Sequence, residues 1–287
     1  MFGLGKQRNG SGEPRQAGPF GPYHLHELIN SGGMADLWLA ADPTKQTCAL
    51  RLLHQALRWD FTARKRFLTG CEVLERLQGN ELIIRYGGHG KIDGTYYLQM
   101  EYVEGANLKL LMAQADPLLA DHVGNILIDM AQALEHVHER GFMHMDFKPE
   151  NVMVSRNAGV RLVDFDLALP RPEAPKRLAK NPGTPAYMAP EQLLREPVDH
   201  RADLFAFGVT AYELLTFRKP FPGETADEVL RRELDRSGDF LPPRAINPDI
   251  PLAVERAILK CLEREPDKRY PFMSVVVRDL QAALYVK

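Results

Sequence analysis

The sequence predicts an α+β chain of two lobes, a small β-rich amino-terminal lobe with one helix and a large α-helical lobe after it. Three observations predict this division. Short apolar runs separated by turn residues occupy the first third of the chain. Apolar residues spaced by three or four positions recur from about residue 118 onwards. The length of 287 residues also suits about two domains.

Composition argues against several classes of protein. The formal net charge is −2, so the chain lacks the basic excess that nucleic-acid-binding proteins usually carry. No apolar run reaches the roughly 18 residues that span a bilayer, and the amino terminus lacks the apolar stretch of a secretory signal. Three cysteines are too few and too scattered for a disulfide scaffold. We therefore expect a cytoplasmic protein with no membrane span and no nucleic-acid partner.

The first lobe is predicted to follow a flexible tail. Residues 1–22 are rich in glycine and proline and poor in apolar residues, which favours a mobile segment. Residues 23–103 form the predicted small lobe, where turn residues such as Asp93 and Gly94 separate the strands. The predicted strands are the apolar runs at residues 37–41, 48–53, 82–86 and 96–103.

Helices are predicted from apolar spacing. A single helix interrupts the strands between Trp59 and Gly79, because Phe67, Cys71 and Leu74 fall on one helical face. Residues 104–287 form the predicted large lobe. Its helices are predicted over residues 118–139 and near 201–217, 224–236, 252–263 and 273–285.

The densest group of polar residues follows the long predicted helix. Asp146, Lys148 and Asn151 place a carboxylate, an ammonium and an amide within six positions. These groups suit phosphoryl transfer, since a carboxylate orients a hydroxyl, an ammonium neutralises a phosphate and an amide oxygen ligates Mg²⁺. Asp164 follows an apolar run further on, which suits a second Mg²⁺ contact.

These residues belong to motifs that resemble those of protein kinases, most closely the bacterial relatives of the eukaryotic Ser/Thr kinases. Residues 144–151 resemble the H-R-D-x-K-x-x-N loop, and residues 164–166 resemble D-F-G. Residues 183–191 resemble the G-T-P-x-Y-M-A-P-E segment that closes the activation loop. Residues 203–208 resemble the aspartate-headed motif of the central helix. The resemblance covers about residues 22–285 and implies a bilobal protein-kinase-like fold.

The resemblance also implies roles for individual residues. Asp146 matches the catalytic base, Lys148 the phosphate contact, and Asn151 and Asp164 the Mg²⁺ ligands. Arg269 matches the late arginine that pairs with the glutamate at position 191. The implied cofactors are ATP and Mg²⁺ (or Mn²⁺), and the implied partner is a protein. The implied nucleotide contacts are Gly32, Gly33, Leu37, Ala49, Arg51, Met153 and the backbone of Glu101 and Val103.

The small lobe departs from the family pattern at its phosphate-binding elements. The glycine-rich loop keeps only its middle glycine, Gly32, with Gly33 beside it. Asp36 adds a carboxylate that would repel phosphate if it pointed inward. Arg51 replaces the lysine of V-A-I-K, and a wide planar guanidinium is not equivalent to a compact ammonium. Gly70 falls where the following helix should offer that lysine a glutamate.

Two departures fall in the large lobe. Met145 replaces the arginine of H-R-D, which in the family receives an activation-loop phosphate, and the loop itself has no Ser, Thr or Tyr between residues 165 and 183. Asp166 replaces the glycine of D-F-G and places a second carboxylate next to Asp164. It could bind an extra metal ion, pair with Arg51 or lock the loop.

Three hypotheses follow from this combination of retained and altered kinase motifs. The first is a pseudokinase that retains Mg-ATP binding and acts as a regulatory or scaffolding module, because the phosphate-binding elements of the small lobe are depleted. The second is an active Ser/Thr protein kinase of unusual construction, because Asp146, Lys148, Asn151 and Asp164 all survive. The third is transfer of another group from ATP, such as AMP.

Overall fold

The computed structural model of the chain describes residues 15–180, 182–236 and 240–285. The chain divides into two compact units. The first contains the described residues up to Cys71 and the segment Arg85–Tyr102, and the second contains Glu72–Ile84 and the described residues from Val103 onwards. The predicted boundary after residue 103 therefore lies one residue earlier, and the segment 72–84 belongs to the second unit.

The first unit is built on one antiparallel sheet of six strands. Their order across the sheet is β1-β2-β3-β4-β6-β5, so the last two strands are exchanged relative to the chain. The strands are β1 (Gly18–Phe20), β2 (Tyr23–Ser31), β3 (Ala35–Ala41), β4 (Thr47–Leu53), β5 (Tyr86–Ile92) and β6 (Thr95–Glu101).

The side chains of β3 and β4 point alternately to the two faces of this sheet. Trp38 of β3 and Leu50 of β4 are directly paired and are buried in the hydrophobic core of the unit. Leu37 and Arg51, one position away on each strand, are also directly paired. Because successive side chains of a strand point to opposite faces, Leu37 and Arg51 lie on the face that is opposite to this core.

The structure corrects one predicted strand. Residues 82–86 do not form a strand apart from an isolated bridge at Ile83, and the observed strand β5 begins at Tyr86. Its glycines made it a poor strand candidate from sequence. A Cβ atom at Gly87 would lie 2.9 Å from the Gln99 side chain, so glycine leaves room for the side chains of the neighbouring strand.

The carboxyl end of the predicted tail is part of the folded first unit. Residues 1–14 lie outside the described part of the chain. Gly18–Phe20 forms β1 and pairs with β2, and Phe20 is buried in the sheet core. The Arg15 guanidinium lies over the Phe20 ring at 4.7 Å from its centroid. Residues 18–20 of the predicted tail are therefore part of the sheet of the first unit.

Helix α1 (Phe61–Arg76) is the predicted helix of the small lobe. Phe67 is fully buried, and the Arg51 guanidinium lies 5.6 Å from the centroid of its ring. Gly70 occupies a buried position of the helix. Glycine weakens a helix interior by ~1 kcal/mol relative to alanine, so packing rather than propensity holds this helix.

The second unit is mainly helical and contains two small sheets. Its helices are α2 (Leu108–Gln114), α3 (Pro117–Glu139), α4 (Pro190–Leu193), α5 (Arg201–Thr216), α6 (Ala226–Leu234), α7 (Pro243–Ile246), α8 (Leu252–Cys261) and α9 (Met273–Tyr285). Its strands are β7 (Gly105–Asn107), β8 (Phe142–Met143), β9 (Val152–Ser155), β10 (Val160–Leu162) and β11 (Leu169–Pro170). The small sheets are β10-β9-β7 and β11-β8.

Local signals account for the long helices of this unit. The Asp116 carboxylate accepts the N–H of Leu118 at 2.9 Å and Pro117 takes the first helical position, so α3 begins with a standard amino-terminal cap. Nearly every residue of α5 is buried, as expected of a helix that is apolar all round. Within the described ranges, none of the helices is long and apolar enough to cross a membrane.

Candidate active site

The polar loop at residues 144–151 lies between β8 and β9 in the second unit. Helix α3 ends before Gly141, whose φ of 80° lets the chain reverse direction. Pro149–Asn151 then forms a single turn of 3-10 helix, with Pro149 at its first position. The segment therefore has a turn of regular structure that carries the polar side chains.

The side chains of Asp146, Lys148 and Thr184 form a closed hydrogen-bonded triangle. The Lys148 ammonium donates to Asp146 Oδ2 and to Thr184 Oγ1, both at 2.7 Å. The Thr184 hydroxyl donates to Asp146 Oδ1 at 2.9 Å. The triangle joins the polar loop to the end of the activation segment, and it places a cation directly beside the carboxylate that sequence assigned as the base.

Asn151 also contacts Asp146 through its side-chain amide. Its Nδ2 donates to the backbone carbonyl of Asp146 at 2.8 Å and lies 3.3 Å from Asp146 Oδ2. The amide is thereby oriented with its nitrogen toward Asp146, so its carbonyl oxygen is the atom that can act as a metal ligand.

Asn151 and Asp164 are brought together by a backbone hydrogen bond. The N–H of Val163 donates to the carbonyl of Asn151 at 2.9 Å, which places Asp164 one residue from the contact. The backbone N–H of Asp166 lies 3.4 Å from Asp164 Oδ1. Three oxygen-bearing side chains therefore lie on two adjoining segments of the second unit.

The donor set of these segments suits Mg²⁺. An amide oxygen and carboxylates are hard ligands, and Mg²⁺ is usually held by one or two protein carboxylates together with substrate phosphates. Among the described residues, no group of three His, Cys, Asp or Glu side chains could hold a metal ion. The residues here fit a metal that is shared with a phosphate ligand rather than one caged by the protein.

Two residues of the site adopt a left-handed backbone conformation that is costly for side chains other than glycine. Met145 has a φ of 66° and Asp164 a φ of 62°. Such residues persist only where the surrounding structure holds them, and they cluster at functional sites.

The Asp203 carboxylate holds the strained backbone at Met145. It accepts the backbone N–H groups of His144 and Met145 at 2.8 and 2.9 Å, and the ring Nε2–H of His138 at 2.8 Å. Burial by itself raises the pKa of Asp203, but the hydrogen bonds and positive potential of His138 and its neighbours lower that pKa on balance. Asp203 is therefore a buried anion that organises the loop.

The end of the activation segment is fixed in a similar way. The Tyr187 hydroxyl donates to Glu213 Oε2 at 2.6 Å, and Lys109 donates to Glu213 Oε1 at the same distance. Burial and the hydrogen bond to Glu213 raise the pKa of Tyr187, so its phenol stays protonated. Tyr187 therefore joins the end of the activation segment to α5 through Glu213.

In the first unit, the structure places three of the predicted nucleotide residues on one face of the sheet. Leu37 pairs directly with Arg51, and Ala49 pairs with Leu39 on the same face. Asp36 alternates with Leu37 and so points to the opposite face. Its carboxylate is therefore directed away from the face that carries Arg51, and the predicted repulsion of phosphate does not arise from an inward-pointing side chain.

Gly32 and Gly33 form the turn between β2 and β3. Neither has a positive φ, so the turn itself does not require glycine. A Cβ atom at Gly33 would meet no atom within 4 Å, and one at Gly32 would meet only the Ala35 carbonyl at 3.5 Å. The Gly32 N–H donates to the Ala35 carbonyl at 3.0 Å, whereas the absence of a side chain at Gly33 lets a ligand such as a phosphate approach the backbone closely.

The remaining predicted contacts lie on separate units. Glu101 ends β6 in the first unit, and its backbone N–H donates to the Arg85 carbonyl at 3.0 Å. Val103 and Met153 belong to the second unit, where Met153 is the half-buried middle of β9. Val152 and Val154 on either side of it are buried, so Met153 faces away from that core.

Sequence reasoning missed one group of contacts in each unit. In the second unit it missed His138, whose bond to Asp203 spans 65 residues; a histidine near the end of α3 gave no signal of this partner. In the first unit it missed that Ser31 and His54, which directly follows β4, both donate to Asp36. The contacts of His138 and His54 join different elements, so the pattern within one element does not indicate them.

Residues 23–280 match the family described as protein kinase domain. The chain is 32% identical over 260 residues to the serine/threonine-protein kinase PknH of Mycobacterium tuberculosis, which covers 90% of this chain and 41% of PknH. It is 32% identical over 279 residues to the probable serine/threonine-protein kinase SCO3848 of Streptomyces coelicolor, covering 95% and 41%. It is 31% identical over 280 residues to PknE of M. tuberculosis, covering 96% and 48%. The chain thus spans less than half the length of these relatives.

Proposed function

Since the chain belongs to the protein kinase family, we propose that it is a Mg-ATP-dependent Ser/Thr protein kinase with an altered phosphate-binding region in its small lobe. The hydrogen-bonded triangle of Asp146, Lys148 and Thr184 carries the proposal. A protein that only binds has no evident need to hold a carboxylate and an ammonium 2.7 Å apart on a strained loop. The names of the relatives support the same activity.

The proposed reaction forms a bond between a protein hydroxyl oxygen and the γ-phosphorus of ATP, and it breaks the bond to the leaving ADP oxygen. Asp146 orients the hydroxyl and accepts its proton. Lys148 neutralises charge on the transferred phosphoryl group. Thr184 holds both side chains in register.

Asn151 and Asp164 are the residues that would hold Mg²⁺, with Asp166 next to them. Bound Mg²⁺ supplies charge neutralisation for the phosphates and orients them. Gly32, Gly33, Leu37, Ala49 and Arg51 are the proposed nucleotide residues of the first unit. Glu101, Val103 and Met153 are proposed for adenine contact. Because the glycine-rich loop is depleted, we expect ATP to bind weakly and only with a divalent metal.

The second candidate is the pseudokinase, a nucleotide-binding module without phosphotransfer. The observation that favours it lies in the small lobe, where Arg51 replaces the lysine and a buried Gly70 stands in α1 at the glutamate position. Met145 is also buried, so the loop has no arginine there to receive a phosphate. The second unit keeps Asp146, Lys148, Asn151 and Asp164 despite its changes at Met145 and Asp166, which is why we place active phosphotransfer first.

Two measurements on the same preparation separate these candidates. Thermal melting with ATP plus Mg²⁺, and with ATP plus chelator, reports binding, since a ligand that binds only the native state raises the melting temperature. Transfer of labelled γ-phosphate to a generic basic protein reports activity. The kinase predicts a metal-dependent shift and transfer; the pseudokinase predicts the shift alone. Micromolar ATP binding in chelator would contradict the proposed metal dependence.

A matched pair of variants tests the role of Asp146. Asp146→Asn keeps the shape of the side chain and removes its basicity, so we expect transfer to fall at least ~100-fold with the ATP-dependent shift retained. Asp121→Asn changes an exposed carboxylate of α3 in the same way and serves as the control. Equal activity of the two variants would overturn the assignment.

A further inference from the structure

The turn between β2 and β3 carries a side-chain cluster that the kinase motifs do not account for. The Ser31 hydroxyl donates to Asp36 Oδ1 at 2.6 Å. His54 Nε2 donates to the same oxygen at 3.1 Å. Ser31 and Asp36 are directly paired residues at the ends of the two strands, and His54 directly follows β4. One carboxylate oxygen thus joins three strands of the sheet.

Backbone hydrogen bonds strengthen this connection. The N–H of His54 donates to the Met34 carbonyl at 3.0 Å, which ties the end of β4 to the turn. The N–H of Gly32 donates to the Ala35 carbonyl at 3.0 Å and closes the turn itself. The side chains of Asp36 and His54 are only 23% and 26% exposed, so solvent competes weakly for their bond.

The position of the cluster separates it from the nucleotide face. Asp36 pairs with Leu52, which is in the sheet core, whereas its neighbour Leu37 pairs with Arg51 on the other face. The negative charge is therefore held on the side of the sheet away from Arg51. Hydrogen bonds to a carboxylate are stronger than those between neutral groups, so a single anion can hold the turn firmly.

We infer that Ser31, Asp36 and His54 are positioning residues that hold the β2–β3 turn closed for the phosphates of the nucleotide. This inference rests on the proposed function. A glycine-rich turn is normally adaptable because glycine has great conformational freedom, and ordering it on binding costs entropy. Here the flanking glycines are replaced, and the Asp36 cluster orders the turn beforehand. Gly33 then remains as the place where phosphate approaches the backbone, because the Gly32 N–H already closes the turn.

The test compares Asp36→Ala, Asp36→Asn and a control, Glu27→Ala, which changes an exposed carboxylate of β2. Hydrogen exchange of residues 31–36 in the protein without nucleotide reports whether the cluster holds the turn. We expect faster exchange in Asp36→Ala and near-normal exchange in Asp36→Asn, because an amide oxygen can still accept both hydrogen bonds. The control should match the wild type.

Nucleotide affinity then tests the positioning role. Calorimetry with Mg-ATP and with adenosine should show about a tenfold loss of Mg-ATP affinity in Asp36→Ala, roughly the loss expected for one or two hydrogen bonds to a charged group. Adenosine affinity should not change, because adenosine has no phosphate for the turn to cover. Asp36→Asn should lie close to the wild type.

Three outcomes overturn the inference. Unchanged exchange in Asp36→Ala would show that the cluster does not hold the turn. Equal losses for Mg-ATP and adenosine would show a general structural effect. Tighter Mg-ATP binding in Asp36→Asn would show that the charge of Asp36 acts by repulsion. If the wild type bound no Mg-ATP, the proposed function would fail and the positioning role with it, whereas exchange would still show whether the cluster holds the turn.

Discussion

Arg269 and Glu191 form a buried, two-pronged ion pair in the second unit. Arg269 Nη1 and Nη2 donate to the two carboxylate oxygens of Glu191, both at 2.7 Å. Their side chains are 0% and 4% exposed. The guanidinium also donates to the backbone carbonyls of Glu263, Arg201 and Arg264, so all of its hydrogen-bonding directions are used. The predicted pairing of these two residues is confirmed.

The first prediction concerns this pair. Arg269→Ala leaves the Glu191 carboxylate buried without its cation, so we expect the free energy of unfolding to fall by about 3–5 kcal/mol. The stability of Arg269→Lys should lie between that of this variant and that of the wild type, because an ammonium keeps the charge but cannot form both parallel hydrogen bonds to Glu191. Urea denaturation measures both, with Arg264→Ala as an exposed arginine control. A loss in Arg269→Ala no larger than that of the control would contradict the structure.

The second prediction concerns Glu233 of α6. Its side chain is buried, and among the described residues neither of its oxygens has a hydrogen-bond partner. Burial, together with the nearby charge of Glu191, raises the pKa of Glu233 to about 9. Arg236 and Arg269 act in the opposite direction and only partly offset this. Glu233 is therefore protonated in the folded protein at neutral pH.

The sign of the pH dependence follows from that shift. The folded state holds a proton that the unfolded state releases near pH 4.5, so the contribution to stability is full below that pH. It is lost as the pH rises toward about 9, with a limiting slope of about 1.4 kcal/mol per pH unit. Glu233→Gln should remove this slope and be the more stable protein at pH 8. Glu196→Gln is the exposed control, and parallel pH profiles of variant and wild type would refute the prediction.

The third prediction concerns Asp166. Its φ is not in the left-handed region, so the backbone does not require glycine there. We expect Asp166→Gly to change the Mg²⁺ concentration needed for the ATP-dependent melting shift more than it changes stability, because it removes a carboxylate next to Asp164. Asp249→Gly makes the same exchange in an exposed loop. A sharp fall in melting temperature with an unaltered metal response would identify Asp166 as a structural lock instead.

The fourth prediction is that activation-loop phosphorylation does not switch this protein. The Thr184 hydroxyl is already hydrogen-bonded to Asp146 and Lys148. A phosphate on Thr184 would be repelled by the negatively charged Asp146 carboxylate. The activation segment is also held in place without a phosphate, since Lys176 and Val198 exchange backbone hydrogen bonds at 3.0 and 2.9 Å.

Mass spectrometry checks this after incubation with Mg-ATP. Intact mass gives the number of phosphates, and peptide analysis gives their positions. We expect none at stoichiometric level between residues 165 and 187. A stoichiometric phosphate on Thr184 that alters ATP binding or activity would disprove the prediction.

Much of the fold was predictable because its signals are local. The apolar spacing of residues 118–139 and the cap at Asp116 lie within one helix, and α3 begins within a residue of the predicted position. Strand β5 was missed for the opposite reason. The glycines of β5 lower its strand propensity. The strand forms because β6 provides backbone hydrogen-bond partners and because side chains of β6 pack over those glycines.

The sequence alone determined the order of the motifs and predicted the roles proposed for Asp146, Lys148, Asn151 and Asp164, since residue type and short spacing carry that information. Only the tertiary structure decided which way Asp36 points, which partner Asp203 binds and how Thr184 closes the triangle with Lys148. Strand register determines the first, and the other two join residues separated by 36 positions or more. Contacts of that length depend on how whole elements pack, and no local pattern in the chain encodes them.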